Sequence, residues 1–125
     1  MRLIIAGSRT ATRADVLAAI EASNAGEGIA EVVCGDAPGA DTEGALWADA
    51  KGIPVRHFPA DWKRWGKAAG PMRNEEMAQN ADALLAIWDG QSKGTAHMIH
   101  MARQHGLRIY IHRFTQTGEG PSRTE

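Results

Sequence analysis

Five short apolar windows alternate with segments of helical pattern, and this alternation limits the fold more than any other feature of the chain. The windows are RLIIAG, AEVVCG, IPVRHF, ADALLAIW and LRIYIH. Between them, Val16, Leu17 and Ile20, and further on Met98, Ile99 and Ala102, recur at helical spacing. Strands separated by helices need crossover connections, and crossovers build a parallel sheet covered on both faces. The expected fold is therefore α/β: a three-layer α/β/α sandwich, Rossmann-like, with a central parallel sheet of about five strands and about four helices. Helix punctuation agrees. Pro71 suits the first turn of a helix over MRNEEMAQNA, Thr95 suits the cap of the next, and Gly52 and Gly106 stand where helices should stop. Residues 59–70, PADWKRWGKAAG, fit neither period and read as a long connection of the kind that usually carries function.

At 125 residues the chain is the size of one domain, read as 1–112, with 113–125 as a flexible C-terminal tail rich in Gly, Ser, Thr and charge. A formal net charge of −1 with mixed signs leaves no footprint for a sequence-blind nucleic-acid binder, so nucleic acid is not an expected partner. The lone Cys34 forms no internal disulfide, no apolar run approaches the ~20 residues that span a bilayer, and MRLIIAGSRT lacks the build of a signal peptide. A cytoplasmic setting without membrane contact is expected.

The unusual chemistry sits in three turns, each leaving the carboxyl end of a strand: Gly7, Ser8 and Arg9; Gly35 to Asp41; and Asp89 to Thr95. Ligands of open parallel sheets bind at this edge. Glycine lets the backbone approach a ligand, and the following helix N-terminus offers free N–H groups and partial positive charge, so each turn can cradle an anion. Ser8, Ser92 and Thr95 add hydroxyls, and Arg9 or Lys93 adds charge. The spacing is neither the dinucleotide fingerprint nor the P-loop.

Together, IAGSR, GDAPGAD, PADWKRWGKAAGPMRN and DALLAIWDGQSKGT resemble the SLOG superfamily of Rossmann-like proteins, specifically its YspA, YpsA-related branch, over residues 1 to about 112. The most specific part is GKAAGPMRN preceded by DW, with GDAPGAD upstream. The resemblance implies a nucleotide or nucleotide-derived small molecule bound across the loops by a sensor or ligand-binding module, and pairing into a homodimer. More distantly the chain is similar to the Lonely Guy phosphoribohydrolases, which release a base from a nucleoside monophosphate, and to the DNA-processing protein DprA, which makes single-stranded DNA binding a weaker alternative. In the phosphoribohydrolases the loop after the fourth strand reads P-G-G-x-G-T-x-x-E. Here Gly94 and Thr95 keep the glycine–threonine pair, but Met98 stands where the catalytic glutamate belongs. Methionine cannot stabilise charge at a departing sugar, so any acid–base role falls to Asp36, Asp41 or Asp89.

The expected ligand-binding set is thus Gly7, Ser8 and Arg9, then Gly35, Asp36, Gly39 and Asp41, then Asp89, Gly90, Ser92, Gly94 and Thr95. Arg73 and Asn74, placed in the first turn of the helix after Pro71, join it. Arg73 reads either as a phosphate or neighbour-subunit contact or as a surface ion pair; Asp41 either as a ribose or base contact or as a helix-start charge. Trp88 is the stacking candidate, or else a core aromatic. Trp62 and Trp65 are read as a lid or dimer surface, and Trp47 as helix packing. His97 and His100 lie i, i+3 without a third ligand at metal spacing, so no metal and no cofactor is expected. Cys34 reads as a small buried hydrophobe.

Overall fold

The computed structural model describes residues 1–115. Strands β1 (Arg2–Gly7), β2 (Glu31–Cys34), β3 (Val55–His57), β4 (Ala83–Trp88) and β5 (Arg108–Arg113) form one parallel sheet in the order β3-β2-β1-β4-β5. All four pairings are parallel, as the alternation of apolar runs with helices requires. The chain order reverses between β1 and β4, so the loops leaving these two neighbours diverge and open a crevice at the switch point.

Helices α1 (Arg13–Ser23) and α2 (Ala40–Ala50) cover one face, where Val16, Ala19, Ile20 and Ala48 pack on Leu3, Ile5, Val32, Leu85 and Ile87. Helices α4 (Ala69–Gln79) and α5 (Lys93–Gln104) cover the other, where Met77, Ala78, Met98, Ile99 and Ala102 pack on Ile4, Val33, Leu84 and Ala86. The architecture is therefore a three-layer α/β/α sandwich. The interior strand β4, between β1 and β5, is apolar without interruption from Ala83 to Ile87 because both of its faces are buried. Trp47 packs against the α1/α2 core.

Three local features differ from the sequence reading. Residues 59–70 are largely helical: α3 (Trp62–Trp65) and a 3₁₀ turn over Gly66–Ala68 run into α4, which begins at Ala69. Asp61 starts α3 by accepting the Arg64 N–H at 3.1 Å, a capping interaction too local to generate a visible period. The cap of α5 is Ser92 rather than Thr95. Ser92 Oγ accepts the Thr95 N–H at 3.4 Å and the Thr95 hydroxyl at 3.1 Å, so Thr95 is the first-turn partner of the cap. Finally, β5 extends through Arg113 and the Phe114 N–H donates to the Trp88 carbonyl at 3.1 Å; residues 116–125 of the expected tail lie outside the described residues. Among the described residues no helix is long and apolar enough to cross a membrane.

Candidate functional site

The β1 and β4 loops are joined at their base. Ser8 is buried, its N–H donates to the Ile87 carbonyl at 2.9 Å, and its Oγ accepts the Asp89 N–H at 3.1 Å. Gly7 is obligatory at the exit of β1, since a β-carbon there would lie 2.1 Å from the Ile87 carbonyl oxygen. The turn after β2 is pressed onto the same structure: Gly39 has φ +83°, and a β-carbon on it would lie 2.5 Å from both the Ser8 and Arg9 carbonyl oxygens. Two of the conspicuous glycines thus serve to pack the turns together.

Above these turns lies a cleft of about 560 Å³, within the range of small-molecule sites. Ser8, Arg9, Asp41, Asp89, Ser92, Gly94 and Thr95 line it from the predicted turns, and Arg73 and Asn74 line it from α4. Both α4 residues stand in the second turn of that helix, since it starts two residues before Pro71. Ala6, Met77 and Met98 supply an apolar floor, and Trp62 with Pro71 supplies a wall. Among the described residues the buried polar or charged ones are Ser8, Asp41, Asn74 and Thr95, and all four line this cleft. Buried polar groups are costly unless satisfied, so their concentration at one place is informative.

The three candidate carboxylates occupy different environments. Asp89 Oδ1 accepts the Gln91 and Ser92 N–H groups at 2.8 Å each; these bonds hold its carboxyl below the usual range and shape the loop. Asp36 points away from the cleft, its Oδ1 lying 2.6 Å from His57 Nδ1. Asp41, in the first turn of α2, is 4 % exposed. Burial pushes its carboxyl up to about 6, opposed by nearby Arg73 and by the backbone N–H groups of Ala37, Gly7 and Gly35. It is the group in the cleft poised to exchange a proton near neutrality.

Arg73 is held from below: its Nη1 donates to the Gly35 carbonyl and its Nε to Asn74 Oδ1 at 3.0 Å. Asn74 Nδ2 in turn donates to the Gly94 carbonyl at 3.4 Å and lies 3.1 Å from His97 Nδ1. Burial and neighbouring His100 lower the His97 pKa, which favours the neutral ring that can accept this bond at Nδ1. From the sequence His97 was weighed only as a metal ligand and set aside; the sign that it faces the cleft was its position one turn into the helix that follows the glycine loop.

Several expected contacts do not face the cleft. Gly35, Gly39 and Gly90 act through the backbone, and a β-carbon on Gly90 would meet the Arg113 side chain. Trp88 is half-buried against the α4/α5 core; its Nε1 donates to the Ser92 carbonyl at 3.1 Å and the Arg113 guanidinium lies 5.6 Å over its ring. The aromatic that does line the cleft is Trp62, which covers Gly70.

In overall fold the chain is similar to the X-ray structure of DNA processing protein A (DprA) from Streptococcus pneumoniae, with TM-score 0.73 and 16% identity over 96% of this chain and 52% of that one. The chain thus spans about half the length of that protein, and at such identity the likeness concerns the fold alone. In sequence it is 37% identical over 84 residues to the Gene 61 protein of Mycobacterium phage D29, a match covering 62% of this chain and 67% of the relative. The model of the YspA, cpYpsA-related SLOG family matches residues 1–65, just over half of the chain and including both the β1 and β2 turns. With that match set beside the Rossmann-like order of the sheet and the turns gathered at its carboxyl edge, the chain belongs to the YspA, cpYpsA-related SLOG family.

Proposed function

We propose that the protein binds a nucleotide or nucleotide-derived small molecule in the cleft at the carboxyl edge of the sheet, as a sensor or ligand-binding module. The observation that carries this reading is the gathering of the buried polar side chains Ser8, Asp41, Asn74 and Thr95 around one cleft at the β1/β4 switch point. The first turn of α5 supports an anionic group there, with N–H groups and the positive end of a helix beside Ser92, Gly94 and Thr95, and the Arg73 fork across from them. The apolar floor and Trp62 suit a base or ribose. A cytoplasmic setting and a homodimer belong to the same reading.

The direct test is a thermal-shift panel of nucleoside monophosphates, ADP-ribose, cyclic ADP-ribose, NAD and ATP. A ligand at one hundred times its Kd adds roughly 2.7 kcal/mol, on the order of 10 °C for a domain of this size. A shift for a panel member that disappears in Arg73→Ala supports the reading. No shift across the panel, with the chain folded and paired, removes it.

One observation favours a second reading, hydrolysis of an N-glycosidic bond: Asp41 is buried in the cleft with its carboxyl pushed up to about 6. Against it, Met98 lines the cleft where the phosphoribohydrolases carry their glutamate. Chromatography of protein incubated with nucleoside monophosphates separates the two. Free base released by the parent and not by Asp41→Asn establishes the hydrolase; intact nucleotide leaves the binding module. Retention on single-stranded DNA with a steep salt dependence would instead favour the DprA-like alternative.

A further inference from the structure

On the other side of the β2 turn, away from the cleft, Cys34 and His57 are direct partners in the parallel register of β2 and β3. Partners in a parallel ladder project to the same face, so the sheet itself sets the sulfur beside the imidazole. Asp36, two residues past Cys34, completes the group. Its φ of +62° turns the chain back, and its Oδ1 lies 3.4 Å from Cys34 Sγ and 2.6 Å from His57 Nδ1. The sulfur, carboxylate oxygen and ring nitrogen all lie within 4.8 Å of one another. We propose that Cys34, Asp36 and His57 form a binding site for a borderline-soft divalent cation of the zinc class, with its fourth position open to water.

Donor chemistry selects that class. One thiolate, one imidazole and one carboxylate suit zinc and its neighbours in the transition series, whereas magnesium and calcium take oxygen ligands. One separation fits a tetrahedral ion as it stands and one must widen. Bonds of about 2.3 Å to sulfur and about 2.0 Å to nitrogen and oxygen put sulfur about 3.5 Å from oxygen, and nitrogen about 3.3 Å from oxygen. The first separation is already present. The second requires the cation to replace the proton between Asp36 and His57 and part them by about 0.7 Å. The His57 side chain, 54% exposed, has room to do this.

Cys34 is held in place for the role. The Asp36 N–H points at Sγ from 3.4 Å, a donor that favours thiolate, and the thiol is the one buried member of the group. The Asp36 and His57 side chains are both exposed to solvent. An ion here joins the β2 turn to β3, and the same turn presents Ala37 and Asp41 to the cleft.

The test is titration of the reduced, metal-free full chain with Co²⁺, followed by absorption and then by displacement with Zn²⁺. The expected result is a single equivalent bound with thiolate-to-cobalt charge transfer and the intense visible bands of tetrahedral cobalt. Cys34→Ser removes the charge-transfer band. His57→Ala, at an exposed position, weakens cobalt binding at least about tenfold while lowering the melting point of the metal-free protein only slightly, by the loss of an exposed ion pair. Saturation with cobalt but without a charge-transfer band overturns the proposal. So does an affinity indifferent to His57→Ala, which would place the ion on other groups such as His97 and His100.

Discussion

The Asp41 carboxylate and the Arg73 guanidinium converge over Gly35: a β-carbon built there would lie 2.7 Å from Asp41 Oδ2 and 2.9 Å from Arg73 Nη1. Only a residue without a side chain lets α2 and α4 bring opposite charges to the same wall of the cleft. Burial nevertheless outweighs the arginine, and the carboxyl rises to about 6 from an ordinary value of 3.8. A group shifted in this direction stabilises the fold fully when protonated, and that contribution is lost as pH rises from the unfolded value through the folded one.

Asp41→Asn is therefore expected to become more stable relative to the parent as pH rises from about 4 to about 6, and to change no further above that. The pH-dependent part of the difference is on the order of 3 kcal/mol. Urea unfolding of both proteins across this window checks it. A difference independent of pH would mean that burial does not outweigh Arg73 and the backbone donors at Asp41.

Arg73→Ala is expected to weaken an anionic ligand of the cleft by about tenfold to a hundredfold, the usual loss for a charge-assisted hydrogen bond. Arg73→Lys restores only part of this, because the ammonium lacks the fork that donates to Gly35 and Asn74 together. The alanine variant also raises the Asp41 carboxyl further by removing its positive neighbour. Calorimetric titration of the parent and both variants with a ligand from the panel measures the order.

Two glycine-to-alanine changes should separate architecture from binding. At Gly39 the new carbon would strike the Ser8 and Arg9 carbonyls from a left-handed backbone, so Gly39→Ala is expected to destabilise by more than about 1 kcal/mol. At Gly94 a β-carbon meets nothing within 4 Å, and the residue lies in the first turn of α5 facing the cleft. Gly94→Ala should keep or slightly raise the melting point and lose ligand affinity. Equal melting behaviour in the two variants would contradict this assignment.

Trp62 is 53% exposed while it lines the cleft and covers Gly70. Ligand binding is expected to shift and quench tryptophan emission, and Trp62→Phe to remove most of that response. Trp65→Phe should leave it in place, since Trp65 lines a separate groove. A response that survives Trp62→Phe would point to Trp88 and restore the stacking role read for it from the sequence.

Pattern alone was enough for the layers of this protein. Period 2 and period 3.6 are local properties of a chain, and the uninterrupted run from Ala83 to Ile87 can satisfy both of its faces only in the middle of a covered sheet. That ligand-type turns leave the carboxyl ends of β1, β2 and β4 follows from the same alternation. Residues 59–70 escaped because a four-residue helix followed by a 3₁₀ turn is too short to show a period, and it exposes most of its side chains.

Only the tertiary structure decided which members of those turns share a space. Asp36 and Asp41 look equivalent in GDAPGAD, yet the left-handed bend at Asp36 sends one carboxylate to His57 and the helix start buries the other in the cleft. Trp88 ends a strand beside the glycine loop and turns to the core, while Trp62 reaches the cleft from 26 residues earlier. Burial, hydrogen-bond partners and proton affinity depend on which strand pairs with which. In a parallel sheet those neighbours are distant in sequence, as Cys34 and His57 are, so no local pattern carries the information.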